Sequence, residues 1–217
     1  MSPDRRRKTA VMMRIITGIA RGTRLEAPKN DRTRPTTEMA KEGIFSSIQF
    51  DLEGRKRLDV FAGSGQLGLE ALSRGAASCV FVDSDGDAFE AIKKNAQKSG
   101  LYPKCRIQKS EFGEYIKSAA REKARFDFIF LDPPYDSGIT LDSAKRILKA
   151  DLLAPGGKMF CESDKPDLLG KNETALAEDP VFAGISDLRK YKYGRTYFYC
   201  FTRKTDEAGE ADETVRS

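Results

Sequence analysis

Asp132, Pro133, Pro134 and Tyr135 follow the apolar run 126–131, which places a carboxylate acceptor, two positions with fixed φ and an aromatic plane at the end of an expected buried strand. Open α/β sheets bind their ligands just outside the carboxyl ends of their strands. A second group lies upstream. Gly63, Gly65 and Gly68 follow Asp59 and Phe61 in the G-x-G-x-x-G spacing, and Asp83 ends the next apolar run 20 residues after Gly63. Glycines let a backbone pass close to a ligand, and Asp83 is placed to accept hydrogen bonds from two ribose hydroxyls. That much suits a nicotinamide dinucleotide and S-adenosylmethionine equally. Asp59 separates them, because a carboxylate facing the loop would repel a pyrophosphate and attract the ammonium and sulfonium of S-adenosylmethionine. Glu111, after the third apolar run, is a candidate acceptor for an adenine amino group, with the Phe112 N–H facing a ring nitrogen; an acid at a helix start also serves the helix dipole.

The 217 residues contain no histidine, which removes Ser-His-Asp and Cys-His mechanisms and every histidine-containing metal site. Catalysis must run on carboxylates, backbone groups or a cofactor. Cys79, Cys105, Cys161 and Cys200 are widely spaced in apolar runs and read as buried thiols, so no metal is expected. No apolar stretch reaches the roughly 20 residues that span a bilayer, and the basic start lacks a secretory apolar segment, so no membrane partner is expected and the cytoplasm is the expected location. The net charge of +5 is unevenly distributed. Residues 1–34 hold ten Lys/Arg against three acids, which leaves 28 against 30 for the remainder. The excess points to a phosphate-backbone footprint near the N-terminus.

These groups need elements to position them. Residues 1–12 read as a disordered basic extension, and 14–17 and 23–26 as short strands of a hairpin around Gly18 and Gly22. After Arg34-Pro35, Thr36 is placed to cap a helix carrying Met39, Ala40, Ile44, Phe45 and Ile48. Strands are then expected near 57–61, 78–83, 104–108, 126–131 and 158–162, alternating with helices near 66–74, 86–99, 111–122 and 139–149. That repetition implies a mostly parallel sheet covered on both faces. Ala154-Pro155-Gly156-Gly157 marks a turn before the fifth strand, and 185–193 with 196–202 read as an antiparallel C-terminal hairpin. The organisation is an extension (1–12), a hairpin (13–35) that carries the expected phosphate footprint, a main domain (36–204) and a polar tail (205–217).

The Asp132-Pro133-Pro134-Tyr135 group resembles the Asp/Asn-Pro-Pro-aromatic motif of enzymes that methylate an exocyclic amine. With Met13-Arg14-Ile15-Ile16-Thr17-Gly18, Arg34-Pro35-Thr36-Thr37, Phe61-Ala62-Gly63-Ser64-Gly65 and the run 67–75, the chain resembles, from Met13 to about Lys204, the RsmD family of bacterial 16S ribosomal RNA guanine-N2 methyltransferases. The resemblance implies a Rossmann-like class I methyltransferase sheet and S-adenosylmethionine as cofactor. It implies 16S rRNA, within small-subunit particles, as partner of a monomer, and Arg34 and Thr36 near the cofactor and substrate. In this reading Asp132 and the Pro133 carbonyl accept the two N–H bonds of a base amine, aiming its lone pair at the methyl group. Tyr135 stacks on the extruded base, and Arg14, Arg21, Arg24, Lys29 and Arg32 track phosphates. The same motif would serve a DNA adenine-N6 methyltransferase. A noncatalytic RNA-binding assembly factor would keep the fold without needing Asp132, and an NAD-linked oxidoreductase is disfavoured by Asp59.

Overall fold

The computed structural model describes residues 13–29, 37–133, 139–168 and 179–206. The basic extension, the tail beyond 206 and the site candidates Arg32, Arg34, Thr36, Pro134 and Tyr135 lie outside them. The chain runs α1 (Glu38–Ser46), β1 (Lys56–Val60), α2 (Gln66–Ser73), β2 (Ser78–Asp83), α3 (Gly86–Lys98), β3 (Cys105–Lys109), α4 (Phe112–Arg121), β4 (Phe126–Leu131), α5 (Thr140–Lys149), β5 (Leu153–Ser163), β6 (Ile185–Tyr193) and β7 (Thr196–Arg203). The expected β-α alternation is present. Central strands such as β4 are buried along nearly their whole length, as continuous apolar sequence requires of strands covered on both faces.

The sheet has the order β3-β2-β1-β4-β5-β7-β6. Strands β1 to β5 pair in parallel, and β7 pairs antiparallel to both β5 and β6. Strand order reverses between β1 and β4, so the crevice at a topological switch point opens at their carboxyl ends. One face packs α1, α2 and α3 around Phe45, Phe130 and Phe160, whose rings lie 5.5 and 5.9 Å apart in sequence along the stack. The other packs α4 and α5 around Ile129, Ile147 and Phe201.

Two expectations shift. The α1 cap is Thr37, whose side chain accepts from the Ala40 N–H at 3.2 Å; Thr36 and Thr37 satisfy the same capping pattern, and register alone distinguishes them. The segment 154–157 lies within β5. Phe126 pairs with Leu153 but Phe128 pairs with Lys158, so four residues bulge out of the ladder, with Gly156 at φ +69°. Pro155 and the glycines thus mark an irregularity inside the strand, which begins earlier than their composition implies.

The N-terminal hairpin is reduced to a single antiparallel bridge between Arg14 and Arg24. Three backbone bonds join its arms, from Ile15 N–H to the Thr23 carbonyl (3.0 Å), Gly22 N–H to the Ile15 carbonyl (2.8 Å) and Leu25 N–H to the Met13 carbonyl (2.9 Å), and the domain holds it further. Met13, Ile15, Ala20 and Leu25 join the α1–α3 core, and buried polar side chains satisfy the hairpin's backbone. Fully buried Glu70 accepts from the N–H groups of Ile16 (2.7 Å) and Thr17 (3.1 Å) and from Arg74 Nε (2.7 Å). Lys41 Nζ donates to the Arg14 carbonyl, and Asn95 exchanges two bonds with the Glu26 backbone. Gly18 is obligatory at the turn: it has φ +89°, and a Cβ there would lie 1.9 Å from the Ser73 carbonyl oxygen.

Candidate active site

Strand β1 leaves the sheet through Phe61, a non-glycine residue at φ +58°. Such a conformation costs about 1 kcal/mol or more and persists where surrounding contacts enforce it, which is common at ligand sites. Three enforcing contacts are visible. Ala62 N–H reaches across to the Val82 carbonyl (3.2 Å), Gly65 N–H returns to the Ala62 carbonyl (2.7 Å), and the Phe61 ring packs on Phe112 at 5.4 Å.

Each glycine of the loop has a different physical task. Gly63, at φ +53°, would carry a Cβ into open space, so its glycine serves the backbone turn and leaves the outer face clear for a ligand. Gly65 caps α2 in a left-handed conformation. Gly68 lets α2 sit on the sheet, since a Cβ would meet the Phe81 ring at 2.3 Å and Cys79 Sγ at 2.8 Å.

The two aspartates play distinct parts. Asp83, at the end of β2, accepts from Gly63 N–H with one carboxylate oxygen and from Asp85 N–H with the other, both at 2.9 Å. Each oxygen keeps acceptor capacity for a ligand hydroxyl. Burial raises its pKa, against the opposing effect of those two bonds. Asp59, expected to face the ligand, is only 2% exposed and accepts from Gly68 N–H at 2.9 Å. It supports the start of α2 from beneath, supplying the cap that Gly65 cannot. Burial pushes its pKa up to about 8, so the carboxyl is largely neutral at pH 7.

Glu111 is exposed and precedes α4 without capping it, and Phe112 opens that helix beneath the Arg146 guanidinium, 4.9 Å from its ring centre. Ser110 N–H bonds the Asp83 carbonyl, which ties the ends of β2 and β3 together. On the other side of the switch point, Asp132 N–H reaches the Val60 carbonyl at 3.4 Å, and Pro133 is buried. Phe61, Gly63, Asp83, Glu111 and Phe112 therefore gather at one edge of the sheet, with Asp132 and Pro133 beside them. Acids line this edge and an open glycine loop fronts it. That combination suits a ligand with adjacent hydroxyls, held at Asp83, while Asp59, buried beneath α2, does not supply the charge that would separate S-adenosylmethionine from a pyrophosphate. Sequence reasoning missed the strained Phe61 backbone and the Arg146 stack, neither of which leaves a mark in residue spacing.

The basic candidates divide. Arg14 is committed to Glu38 through two contacts, at 2.8 and 3.1 Å. Arg21, Arg24 and Lys29 are exposed. The hairpin turn packs on Ser73, at the far end of α2 from the glycine loop, about 12 Å along the helix. Lys29 follows Glu26, which is tied through Asn95 to the Ser64 carbonyl in the loop itself.

A family model described as Conserved hypothetical protein 95 matches residues 13–201, and Ribosomal RNA small subunit methyltransferase D of Haemophilus influenzae is 32% identical over 187 residues, 83% of this chain and 93% of that protein. The chain belongs to the RsmD family. A solved hypothetical protein of Thermus thermophilus superposes with a TM-score of 0.70 at 26% identity, covering 86% of this chain and 97% of its own. An O-methyltransferase from Bacillus cereus in complex with SAH has the same fold at a TM-score of 0.63 and 14% identity, over 78% of this chain and 83% of its own. The RsmD-family chain is thus a class I methyltransferase fold whose glycine loop and switch point are those described above. No described helix is long and apolar enough to cross a membrane.

Proposed function

We propose that this protein methylates the exocyclic N2 amine of a guanine in 16S rRNA, acting on small-subunit particles. The observation that carries the reading is the position of Asp132-Pro133: an acceptor carboxylate beside an acceptor carbonyl, next to the β1 glycine loop at the switch point. S-adenosylmethionine is the methyl donor and supplies an electrophilic methyl on a sulfonium. Asp83 holds its ribose, Gly63 and Gly65 allow close approach, and Phe61 with Phe112 offers an apolar wall. Glu111 and the Phe112 N–H read the adenine, and Asp59 sets the loop from below. Arg34 and Thr36 are assigned to the cofactor and substrate from the family resemblance.

An amine conjugated to a purine is a weak nucleophile, since its lone pair is delocalised into the ring. Asp132 and the Pro133 carbonyl each accept one of its N–H bonds, which orients the lone pair toward the methyl group and stabilises the positive charge that develops on nitrogen. S-adenosylmethionine bound there would supply the methyl group and leave as the thioether, its sulfur keeping the C–S electron pair. The methylated nitrogen is strongly acidic, and Asp132 or water takes its proton, so no histidine is required. Pro134 fixes the backbone after Pro133, and Tyr135 stacks on the extruded base, a contact worth about 1 to 3 kcal/mol in nucleic-acid complexes. Arg21, Arg24, Lys29 and Arg32 hold RNA phosphates.

The test is methyl transfer from labelled S-adenosylmethionine to bulk RNA, DNA and small ribosomal subunits, with nucleoside analysis. N2-methylguanine in small-subunit RNA is expected, and N6-methyladenine in DNA would overturn the assignment. Asp132→Ala should keep cofactor affinity and lose roughly two to four decades of turnover, the scale of removing one preorganised electrostatic partner. Near-normal turnover would remove the mechanism.

A further inference from the structure

Averaging charge over everything beyond residue 34 conceals a second basic stretch. Residues 188–199 hold four Lys/Arg (Arg189, Lys190, Lys192 and Arg195), four tyrosines and no acid. The fold bends this stretch into the β6–β7 hairpin. Because β7 runs antiparallel to β5, the Gly194-Arg195 turn stands at the carboxyl ends of the parallel strands, the edge that carries Asp132.

Register fixes how near the turn comes. Leu131 pairs with Cys161, Cys161 with Tyr199, and Tyr199 with Lys190. Two residues further on, Ser163, Tyr197 and Lys192 form the next row on the same face. Asp132 and Pro133 occupy the levels just beyond Leu131, so the hairpin tip is level with them. Strand β7, with Tyr197, lies two strand spacings to the side, about 10 Å, and β6, with Lys192, three, about 14 Å.

At this tip the lysines sit over aromatic rings. Lys190 Nζ is 5.2 Å from the Tyr197 ring centre and 5.7 Å from that of Tyr199, and Lys192 Nζ is 5.7 Å from that of Tyr197. Arg189 is neutralised by Asp187 at 2.8 Å, and Lys190 donates to the Pro166 carbonyl. Lys192 and Arg195 are exposed, and neither pairs with a carboxylate among the described residues. Lysines on an edge strand also deter unwanted strand pairing. That role would be served anywhere along β6. It does not account for cations gathered at the end beside Asp132, with one in the turn outside the strand, while Ser186 and Asp187 occupy the other end.

We infer that the tip of the β6–β7 hairpin, Lys192 and Arg195 around Tyr197, holds the phosphate backbone of the single-stranded RNA flanking the methylated nucleotide. The inference rests on the RNA reading of the site above, though not on which base is methylated. A base drawn out of its stack into the switch-point crevice carries its neighbouring phosphates along the same edge, where this tip supplies the only cluster of cations and aromatic faces described on β5, β6 and β7.

The experiment compares wild type with Lys192→Glu/Arg195→Glu, Lys192→Ala/Arg195→Ala and the conservative Lys192→Arg/Arg195→Lys, using small-subunit particles as the probe. Charge reversal should weaken particle binding by about ten-fold or more. The alanine pair should reduce the salt slope by roughly 1.4, about 0.7 for each of two single-stranded phosphate contacts. S-adenosylmethionine affinity, measured by calorimetry, should stay within about two-fold, and the conservative pair should restore particle binding. A photo-crosslinking side chain at position 195 should capture 16S rRNA. Unchanged affinity and salt slope in a charge-reversed protein that binds the cofactor normally would overturn the inference, as would crosslinking to a ribosomal protein. If RNA binding depends on the tip but the product is not N2-methylguanine, the base assignment fails and this inference stands.

Discussion

Asp59→Asn should make the protein more stable at neutral pH by removing an ionisation that the fold resists. The folded carboxyl is buried and titrates at about 8, whereas an exposed aspartate in the unfolded chain titrates near 3.9. Between those values the unfolded chain has lost a proton that the folded protein keeps, so stability falls as pH rises, by about 1.4 kcal/mol per pH unit from this group. Asparagine is isosteric with the neutral acid and retains an oxygen to accept the Gly68 N–H. Relative to the variant, wild type should therefore lose on the order of 2 to 3 kcal/mol between about pH 5 and pH 7. Urea unfolding of both proteins across that range measures this directly. The chain has no histidine to titrate in the window, and the raised Asp83 contributes equally to both proteins. Parallel stability curves would refute the reasoning. They would mean that Asp59 is ionised in the fold and acts as an anion at the N-terminus of α2, stabilised by the helix dipole.

Two further outcomes follow from the way the hairpin is mounted. Glu70→Ala leaves the Ile16 and Thr17 N–H groups and the Arg74 guanidinium without their acceptor, and should cost about 3 to 5 kcal/mol; a loss under about 1 kcal/mol in urea, or unchanged hydrogen exchange at those two amides, would show that the hairpin is held by its other contacts and not by Glu70. Arg14→Ala should change the salt dependence of RNA binding much less than Arg21→Ala/Arg24→Ala, because Arg14 is already paired with Glu38; equal effects in a filter-binding assay would contradict that division.

The β-α alternation was legible because strands buried on both faces leave apolar runs and amphipathic helices leave spaced ones. The glycine loop and Asp83 were legible because spacing within one strand-turn-helix unit constrains where they meet. What stayed hidden depends on distant partners. Glu70, Lys41 and Asn95 look like ordinary helix-surface polar residues until the hairpin is seen lying on them, and nothing near position 70 in the chain points to Ile16 and Thr17. The direction of Asp59 was hidden for the same reason, since either face of β1 was open to it until α2 was in place. Gly43 is a further case. A Cβ there would fall 2.0 Å from the Tyr193 hydroxyl, so α1 rests on β6 through a contact between residues 150 positions apart in the chain. The β6–β7 charges were obscured by arithmetic instead, because acids elsewhere cancelled them in the total.

The mounting of the hairpin bears on how an RNA would be held. Its basic turn is anchored near the far end of α2, while Lys29 follows the segment tied to the glycine loop. Phosphates tracked by Arg21 and Arg24 would therefore run along the α1–α3 face toward the cofactor half of the sheet. A nucleotide presented to Asp132 must also be fixed from the opposite half, where β5, β7 and β6 end. Contacts on one side alone would leave the strand free to pivot about the crevice, and a displacement of about 1 Å at the reacting amine is enough to forfeit much of the benefit of orientation. The two basic surfaces thus address one mechanical requirement from opposite flanks of the switch point. Their effects on methyl transfer should accordingly be non-additive, with loss of either flank already releasing the base.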